Sequence, residues 1–299
     1  MSEQSSKTKR LSRYRQERDR APAMILTGRD REVLVALWNY RFLTIEALTG
    51  LFGSRRSLYR RMARLFHNGY VTKRFLFEKP IGIGSPQDIF LLDREGARAL
   101  ELDAQMRRKV ENRLGVARRH IKHSLALSRF QVVLDLAIEG SKGLALDFFS
   151  PDMEDRATAV RVAVGDEEVT VWPDATFRVL TEDLAYTYLV EIDQAERKRS
   201  RLEQRFKAYW TFVRRERELL KKTRGATGAF VIFVGPNEGQ TAHLRRVAVE
   251  DTGIPAGNPS FLFLNEQKLS LTRPRDLLTN KICQLADGTP RRLVPTPEH

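Results

Sequence analysis

The sequence predicts an α+β protein with a helix-rich N-terminal part and a C-terminal part in which strands alternate with helices. Its 299 residues, 41% of them apolar, are enough for two domains with cores of their own. Apolar residues recur at the helical period between residues 27 and 68, whereas short β-like runs dominate after residue 141. Charge is also divided unevenly, because residues 1–125 contain 27 Lys+Arg and 13 Asp+Glu, and residues 126–299 contain 25 of each.

An arm and a first helix open the chain. Residues 1–22 are polar and basic with almost no apolar side chains, so we expect a disordered arm. Thr27 is suited to cap the helix that follows. The apolar positions of this helix fall at i, i+1, i+4 and i+5, which is one stripe at the helical period and predicts a core helix. They are Val33, Leu34, Leu37 and Trp38.

Two further helices follow at short intervals. Thr44 is suited to cap a short helix from Ile45 to Leu51. Ser54 is expected to cap a third helix from about Arg55 to Asn68, which Gly69 ends. The apolar residues of the third helix fall on one side, so the other side is left cationic. The apolar side consists of Leu58, Met62, Leu65 and Phe66.

Two β-like runs come next, from Tyr70 to Phe77 and from Asp88 to Leu92. The residues between them, 78–87, are rich in Gly and Pro and are typical of a hairpin tip. Helix, helix, helix, strand, tip, strand is the order of a winged helix-turn-helix. We therefore predict a winged helix-turn-helix over residues 23–104, with Asp93 capping one more helix.

In such a fold the third helix enters the major groove of DNA and presents its N-terminal half to base edges. Arginine can donate two hydrogen bonds to guanine, whereas contacts to phosphate set position only. We expect base or groove contacts from Arg55, Arg56 and Arg60, with Ser57 beside them. The residues expected at phosphates are Arg61, Arg64, Lys73, Arg74 and Lys79, and Tyr59 is assigned either to a phosphate or to the core.

The excess of positive charge in residues 1–125 supports the same partner. A concentrated positive field attracts a polyanion, and release of counterions from phosphates supplies most non-specific affinity for nucleic acid. Double-stranded DNA is therefore the predicted partner, and binding of this kind requires no cofactor. The alternatives are a solvated basic surface, attraction to anionic lipid, or a winged helix that only dimerises or binds protein.

The composition excludes several other classes of protein. No apolar run approaches the 20 residues or so that span a bilayer, and the first twenty residues lack the apolar core of a secretory signal. The single cysteine, Cys283, excludes an internal disulfide framework and a cysteine-rich zinc site. These observations favour the cytoplasm and no membrane association.

Residues 105–140 are expected to form one or two helices that link the domains. An α/β domain is predicted over residues 141–285, and the proline-containing residues 286–299 are predicted to form a flexible tail. The strands of this domain are expected at 144–149, 160–164, 169–172, 176–180, 186–192, 229–234 and 261–264, with helices at about 195–222 and 240–251.

Carboxylates lie at the ends of two successive predicted strands of this domain. Asp174 precedes one strand, and Glu191 and Asp193 end another about 17 residues later. The spacing resembles the PD-(D/E)xK nucleases, in which carboxylates on adjacent strands hold Mg²⁺ and a lysine orients water. Asp193 stands at the lysine position, and the nearest lysine is Lys198. The alternative is structural: Asp174 is a turn residue after a proline, and Glu191 and Asp193 pair with an arginine of the next helix, Arg197 or Arg201.

The arrangement as a whole resembles the replication-relaxation family, over roughly residues 25–235. The resemblance implies a winged helix followed by a PD-(D/E)xK-like domain, and a DNA-binding role on plasmids and other mobile elements. The motifs that support it are Thr27-Gly-Arg-Asp-Arg, Phe42-Leu-Thr, Arg64-Leu, Gly69-Tyr-Val, Leu91-Leu-Asp-Arg-Glu-Gly, His123-Ser-Leu-Ala-Leu, Pro173-Asp-Ala-Thr-Phe, Leu189-Val-Glu-Ile-Asp-Gln and the later Tyr209.

Together these observations predict a double-stranded DNA-binding protein of a mobile element that acts in replication, in DNA relaxation or mobilisation, or in transcriptional control of its genes. The alternative is an Mg²⁺-dependent nuclease or nicking accessory enzyme that uses Asp174 and Glu191, with Asp193 and Lys198 beside them. A homodimer, formed through the helices at 105–139, and association with relaxation or replication proteins are further expectations. His120 and His123 are expected to pack or to cap rather than to bind a metal.

Overall fold

A computed structural model describes residues 11–76, 87–151, 159–164, 167–194, 198–221 and 228–295. The chain divides into two compact units, Met1–Arg118 and Arg119–His299. The division falls within residues 105–140, the segment predicted to link the domains. Almost all of the predicted hairpin tip, including Lys79, lies outside the described residues.

Local capping determines where the first helices of unit one begin. Thr27 accepts a hydrogen bond from the backbone of Asp30, whose carboxylate accepts one in return, so the predicted cap is confirmed as a full capping box. Thr44 caps the second helix as predicted. Ser54 does not cap the third, because its backbone is left-handed with φ of 37° and capping requires an extended residue. The elements of this unit are α1 (Gly28–Tyr40), β1 (Leu43–Thr44), α2 (Ile45–Phe52), α3 (Arg55–His67), β2 (Val71–Leu76), β3 (Gln87–Leu92), α4 (Arg94–Ala99) and α5 (Ala104–Leu114).

The three strands form one small antiparallel sheet in the order β1-β3-β2. Leu43 lies opposite Phe90, and Val71 lies opposite Leu92. The buried side chains of the sheet and of the first three helices make the core of the unit, and the solvent-facing side of α3 is left for polar residues. The largest contributors are Leu34, Leu37, Leu43, Leu48, Leu58, Met62, Leu65, Phe66 and Phe90.

Residues 11–22 pack against the rest of unit one, whereas the sequence predicts a disordered arm over residues 1–22. The Arg13 guanidinium lies 3.0 Å from the carboxylate of Asp88, which is buried on β3. The Tyr14 ring packs against the ring of Phe75, with 5.0 Å between centroids. A polar sequence with few apolar residues gives no local signal for such contacts, because their partners lie about 60 to 75 positions further along the chain.

A seven-stranded mixed sheet organises the second unit, in the order β12-β11-β10-β9-β8-β7-β4. Strands β8, β9 and β10 run parallel, whereas β4, β7 and β8 form an antiparallel meander. The elements of this unit are α6 (Arg118–Glu139), β4 (Ala145–Pro151), β5 (Val160–Val164), β6 (Glu167–Val171), β7 (Ala175–Leu180), β8 (Ala185–Ile192), α7 (Arg199–Lys221), β9 (Ala229–Gly235), α8 (Glu238–Glu250), β10 (Phe261–Asn265), α9 (Asp276–Thr279), β11 (Cys283–Gln284) and β12 (Pro290–Arg291).

Helices cover both faces of this sheet, so its central strands are buried on both sides. Val190 and Ile192 of β8 pack in one apolar cluster with Phe130 of α6. Leu189 packs in the other cluster with Phe206 of α7, since successive side chains of a strand point to opposite faces. The β5–β6 hairpin packs against α7 on this second side. Any polar residue at the centre of β8 therefore lies inside the unit.

The described part of the predicted tail, residues 286–295, is folded into the second unit. Leu293 and Val294 are buried, and the hydroxyl of Tyr188 donates a 3.0 Å hydrogen bond to the Leu293 carbonyl. Strand β12 pairs with β11 at the edge of the sheet. The proline content that predicts a flexible tail is compatible with an edge strand, where a missing N–H is tolerated. Across the described residues, no helix is long and apolar enough to cross a membrane.

Candidate nucleic-acid interface and carboxylate site

Four exposed arginines run along one side of α3, and we call Arg55, Arg56, Arg60 and Arg64 the arginine row. Ser57 is exposed beside them. The opposite side of the helix is buried in the core, so these four side chains face solvent. Arg55 lies 3.2 Å from Glu46 in an ion pair between exposed side chains, a kind of contact that contributes little to stability. The row is therefore available to bind an anion.

Tyr59 borders the arginine row and is 41% exposed. Its hydroxyl lies 3.5 Å from Asp88, the buried carboxylate that also pairs with Arg13. This distance is at the limit of a hydrogen bond, so the hydroxyl remains able to donate to another acceptor. Tyr59 thus joins the surface of α3 to strand β3 and to the arm.

Arg61, predicted to contact phosphate, forms an ion pair with the buried carboxylate of Asp30 and donates to the Ile25 carbonyl at 3.0 Å. Burial acts to raise the pKa of Asp30, but hydrogen bonds from Arg61 and Thr27 lower it overall. The arginine neutralises a charge inside the fold, which differs from the predicted phosphate contact. A helix pattern does not distinguish this arginine from its neighbours, because Asp30 lies on another helix.

The strand cations also separate into two kinds. Lys73 is half-buried, with its ammonium 4.6 Å from the ring centroid of Phe66, and burial lowers its pKa. It therefore packs against the core, although a phosphate contact was predicted. Arg74 remains exposed and donates to the Leu114 carbonyl. Lys79 lies outside the described residues.

In the second unit, Asp174 lies immediately before β7 and is held by α6 and β8. One of its carboxylate oxygens accepts a 2.7 Å hydrogen bond from the backbone of Ile192 and lies 3.0 Å from Nε2 of His123. No pattern in the sequence predicts the contact with His123, because the histidine is 51 positions away on a helix. The pairing gives His123 a role in the carboxylate site.

Glu191 is fully buried on the α7 side of β8. Its two oxygens accept hydrogen bonds from Arg205 and from the hydroxyl of Tyr209, both on α7. Arg205 also donates to the Trp172 carbonyl at 2.9 Å. Burial raises the pKa of Tyr209 well above its ordinary value, so the hydroxyl stays protonated and remains a donor. A spacing of four residues places Arg205 and Tyr209 on one helix face.

Asp193 is fully buried and accepts a 2.6 Å hydrogen bond from Nε2 of Gln240 on α8. Lys198, the candidate catalytic lysine, is exposed. The arginine that pairs with Glu191 is Arg205, one turn beyond the Arg201 considered from sequence. Glu191 thus has the structural ion pair that was the alternative from the sequence, but with an arginine one turn further along the helix.

These residues do not fit a magnesium ion. A guanidinium and a phenol occupy the two oxygens of Glu191, while Asp174 is bound by a histidine and a backbone amide. Mg²⁺ requires several oxygens directed at one point in octahedral geometry. Within the part of the chain that the structure describes, no group of three or more His, Cys, Asp or Glu side chains is arranged to hold a metal.

A family model for replication-relaxation matches residues 34–227, well over half of the chain. The chain belongs to the replication-relaxation family. The match spans the arginine row of the first unit and the carboxylates of the second. The predicted family is thereby confirmed.

Two solved structures also match, one of the restriction endonuclease FokI and one of FokI bound to DNA. Their sequence identities are 13% and 12%, and each match covers 85% of this chain and 46% of the other, with a TM-score of 0.26. This chain thus spans less than half of the length of those proteins. No curated protein gives a significant match.

Arg60 and Arg61 are neighbours on α3 and offer a matched pair of substitutions. Arg61→Ala leaves the buried carboxylate of Asp30 without its cation and should lower the free energy of unfolding by about 3 kcal/mol. Arg60→Ala removes an exposed side chain and should change it by less than about 0.5 kcal/mol. Urea unfolding followed by circular dichroism measures both, and equal decreases would contradict the assigned role of Arg61.

The same pair predicts a pH dependence. Because the pKa of Asp30 is lowered in the folded state, the ion pair stabilises the protein fully above the ordinary value of 3.8. This stabilisation is lost as pH falls from 3.8 through the lower folded pKa. The stability difference between native protein and Arg61→Ala should therefore be constant near neutral pH and shrink in acid.

Replacement of Arg205 tests whether Glu191 is a structural carboxylate. Arg205→Met leaves a fully buried charge without its cation, and the unfolding free energy should fall by about 3 to 5 kcal/mol. Adding Glu191→Gln removes that charge while keeping an acceptor for Tyr209, so the double variant should recover most of this stability. A double variant no more stable than Arg205→Met would contradict the assignment.

Proposed function

We propose that the first unit is a winged helix-turn-helix that binds double-stranded DNA with α3 in the major groove. Through it the protein acts at a plasmid or other mobile element, in replication, in DNA relaxation or mobilisation, or in control of its genes. The observation on which the proposal depends is the arginine row, which is exposed on a helix whose other side is buried. Family membership supports the biological setting.

The order of elements supports this fold. Helices α1, α2 and α3 precede two antiparallel strands, and the short β1 completes the sheet beside β3. This order is the one expected for a winged helix. The exposed Arg74 on β2 then faces the sugar-phosphate backbone beside the groove, where a cation fixes position without reading sequence.

The length of the arginine row suits the groove. Arg56, Arg60 and Arg64 follow one another at intervals of four, so they form a single ridge along α3. At 1.5 Å per residue the ridge is about 12 Å long, similar to the width of the major groove. Arg55 and Arg56 in the first turn, with Arg60 one turn later, are the proposed readers of base edges. Arg64 is assigned to phosphate.

For the second unit we propose a scaffolding or dimerisation role on a nuclease-like fold. Its meander of β4, β7 and β8, followed by α7 and the parallel strand β9, has the order of a PD-(D/E)xK domain. Two carboxylates would bind metal in such a domain, Asp174 and Glu191. Glu191 is neutralised by Arg205, and Asp174 lies against His123. The pairing favours a structural role over Mg²⁺-dependent cleavage.

Simultaneous replacement of Arg55, Arg56 and Arg60 by alanine tests the DNA interface. A recognition site is first selected from a random pool of duplexes and confirmed by footprinting with the native chain. The triple variant should bind this site about 100-fold more weakly or worse, because each bidentate pairing of arginine with guanine contributes roughly 1 to 3 kcal/mol. Its circular dichroism should be unchanged, since all three side chains are exposed.

The matched control replaces three exposed cations of the second unit, Lys142, Arg201 and Arg246, by alanine. This variant removes the same charge and should keep both the footprint and the affinity. The salt dependence gives a second measurement, since the slope of log K against log salt falls by about 0.9 for each phosphate that the protein no longer neutralises. An intact footprint with the Arg55, Arg56 and Arg60 variant would overturn the assignment of α3.

A plasmid assay separates the binding role from the nuclease alternative. Supercoiled plasmid incubated with the native chain and Mg²⁺ or Mn²⁺ should remain intact, because the oxygens of Glu191 are bound to Arg205 and Tyr209. Agarose electrophoresis measures the nicked fraction, and Asp174→Ala serves as the control. Nicking by the native chain that disappears in Asp174→Ala would establish the nuclease instead.

A further inference from the structure

The second unit contains a cavity of about 620 Å³ at the opposite end of the parallel strands from the carboxylates. It lies where β9 and β10 begin, and its lining includes Ala229 and Ser260. Glu191 pairs with Phe233, four residues further along β9, which corresponds to about 13 Å of strand. The cavity is therefore a separate feature from the carboxylate site.

The floor of the cavity is apolar and held in place by the sheet. Phe230, Leu262 and Leu293 line it. The ring of Phe230 stacks on that of Tyr188, with 5.2 Å between centroids, and Tyr188 also donates to the Leu293 carbonyl. These contacts connect the floor to the core, so the apolar surface is preformed and does not require a ligand to assemble it.

Three exposed cations line the same cavity: Lys281, Arg291 and Arg292. Among the described residues that line it, none has a carboxylate. Residues 126–299 contain equal numbers of basic and acidic side chains, so this cluster is a local excess in a part of the chain that is neutral as a whole. A local excess of positive charge beside an apolar floor favours an anion that also has an apolar body.

The folded tail positions these cations. Arg291 pairs with Cys283 in the β11–β12 ladder, and the buried Leu293 anchors the chain directly after Arg292. In a tail without such anchors, the side chains would be mobile, and ordering them on a ligand would cost entropy. Here the backbone holds Arg291 and Arg292 at the cavity. Lys281 lies two residues before β11, the strand that is paired with β12.

We propose that this cavity binds a nucleotide, with its phosphate at Lys281, Arg291 and Arg292 and its base and sugar against the apolar floor. Arginine matches phosphate oxygens with two parallel hydrogen bonds, and three cations suit a dianionic phosphate better than a single carboxylate. The volume lies within the range of pockets for small organic ligands, which is more than a bare phosphate occupies. The nucleotide is either free or the 5′-phosphorylated end of a DNA strand, since both present the same chemistry.

Calorimetric titration of the full chain tests the proposal with a deoxynucleoside 5′-monophosphate, the matching deoxynucleoside and inorganic phosphate. The monophosphate should bind at least tenfold more tightly than either fragment. Replacing Lys281, Arg291 and Arg292 together by alanine should weaken it at least tenfold. The Lys142, Arg201 and Arg246 variant should bind normally, since it removes the same charge elsewhere. Circular dichroism checks that both variants are folded.

The two sources are distinguished with single-stranded oligonucleotides that have or lack a 5′-phosphate, in the Arg55, Arg56 and Arg60 variant so that α3 does not contribute. Displacement of the monophosphate by the phosphorylated strand alone identifies a strand end, and no displacement identifies a free nucleotide. Either result supports the cavity. Equal binding by the Lys281, Arg291 and Arg292 variant, or no preference for the monophosphate over both fragments, overturns it. These outcomes are independent of whether α3 binds duplex DNA.

Discussion

A charge on a strand that is covered on both faces has to be neutralised inside the protein, and Glu191 imposes this constraint on the second unit. The cost of burying an unpaired carboxylate is several kcal/mol, so the strand can take its place between α6 and α7 only when a cation and hydrogen-bond donors come with it. Arg205 and Tyr209 supply both from a single face of α7. The position of α7 against β8 is thereby coupled to the carboxylate, and the site becomes part of the framework.

The same constraint divides the arginines of the first unit. Asp30 and Asp88 are buried, and each requires a cation, which Arg61 and Arg13 provide. Arginines used in this way are withdrawn from the surface, and those left on α3 form a single exposed row. The buried carboxylates therefore help to determine the DNA interface that we propose, because they decide which arginines stay exposed on α3. Charge and burial act together to select which cations face solvent.

Membership of the replication-relaxation family and the geometry of the two units lead to one view of the protein. In the function that we propose, the exposed cationic helix of the first unit binds duplex DNA, and the second unit, whose carboxylates are paired, has a structural role. The cavity at the far end of its sheet is suited to a binding role that does not involve the carboxylates. With separate surfaces for the two ligands, one chain could bind the phosphates of duplex DNA at α3 and the phosphate of a nucleotide at the cavity.

The sequence by itself determined most of the helices and the longer strands, because capping and apolar periodicity act over a few residues. Thr27 and Thr44 mark helix starts, and strands β4 to β10 lie within a few residues of their predicted positions, whereas β11 and β12 were not predicted. It also determined the location of the arginine row, since a spacing of four residues along α3 is a local property. The carboxylates at the ends of neighbouring strands were located for the same reason.

Only the tertiary structure decided which side chains meet. Arg61 and Asp30 are 31 positions apart, and Arg205 and Glu191 are 14 apart on a helix and a strand. No local pattern distinguishes Arg61 from Arg60, yet one is bound inside the fold and the other faces solvent. The composition of the tail likewise did not predict that it folds, because Leu293 is buried against residues far away in the sequence, such as Tyr188. Pairing of buried charges depends on contacts between distant segments, and these exist only once the chain has folded.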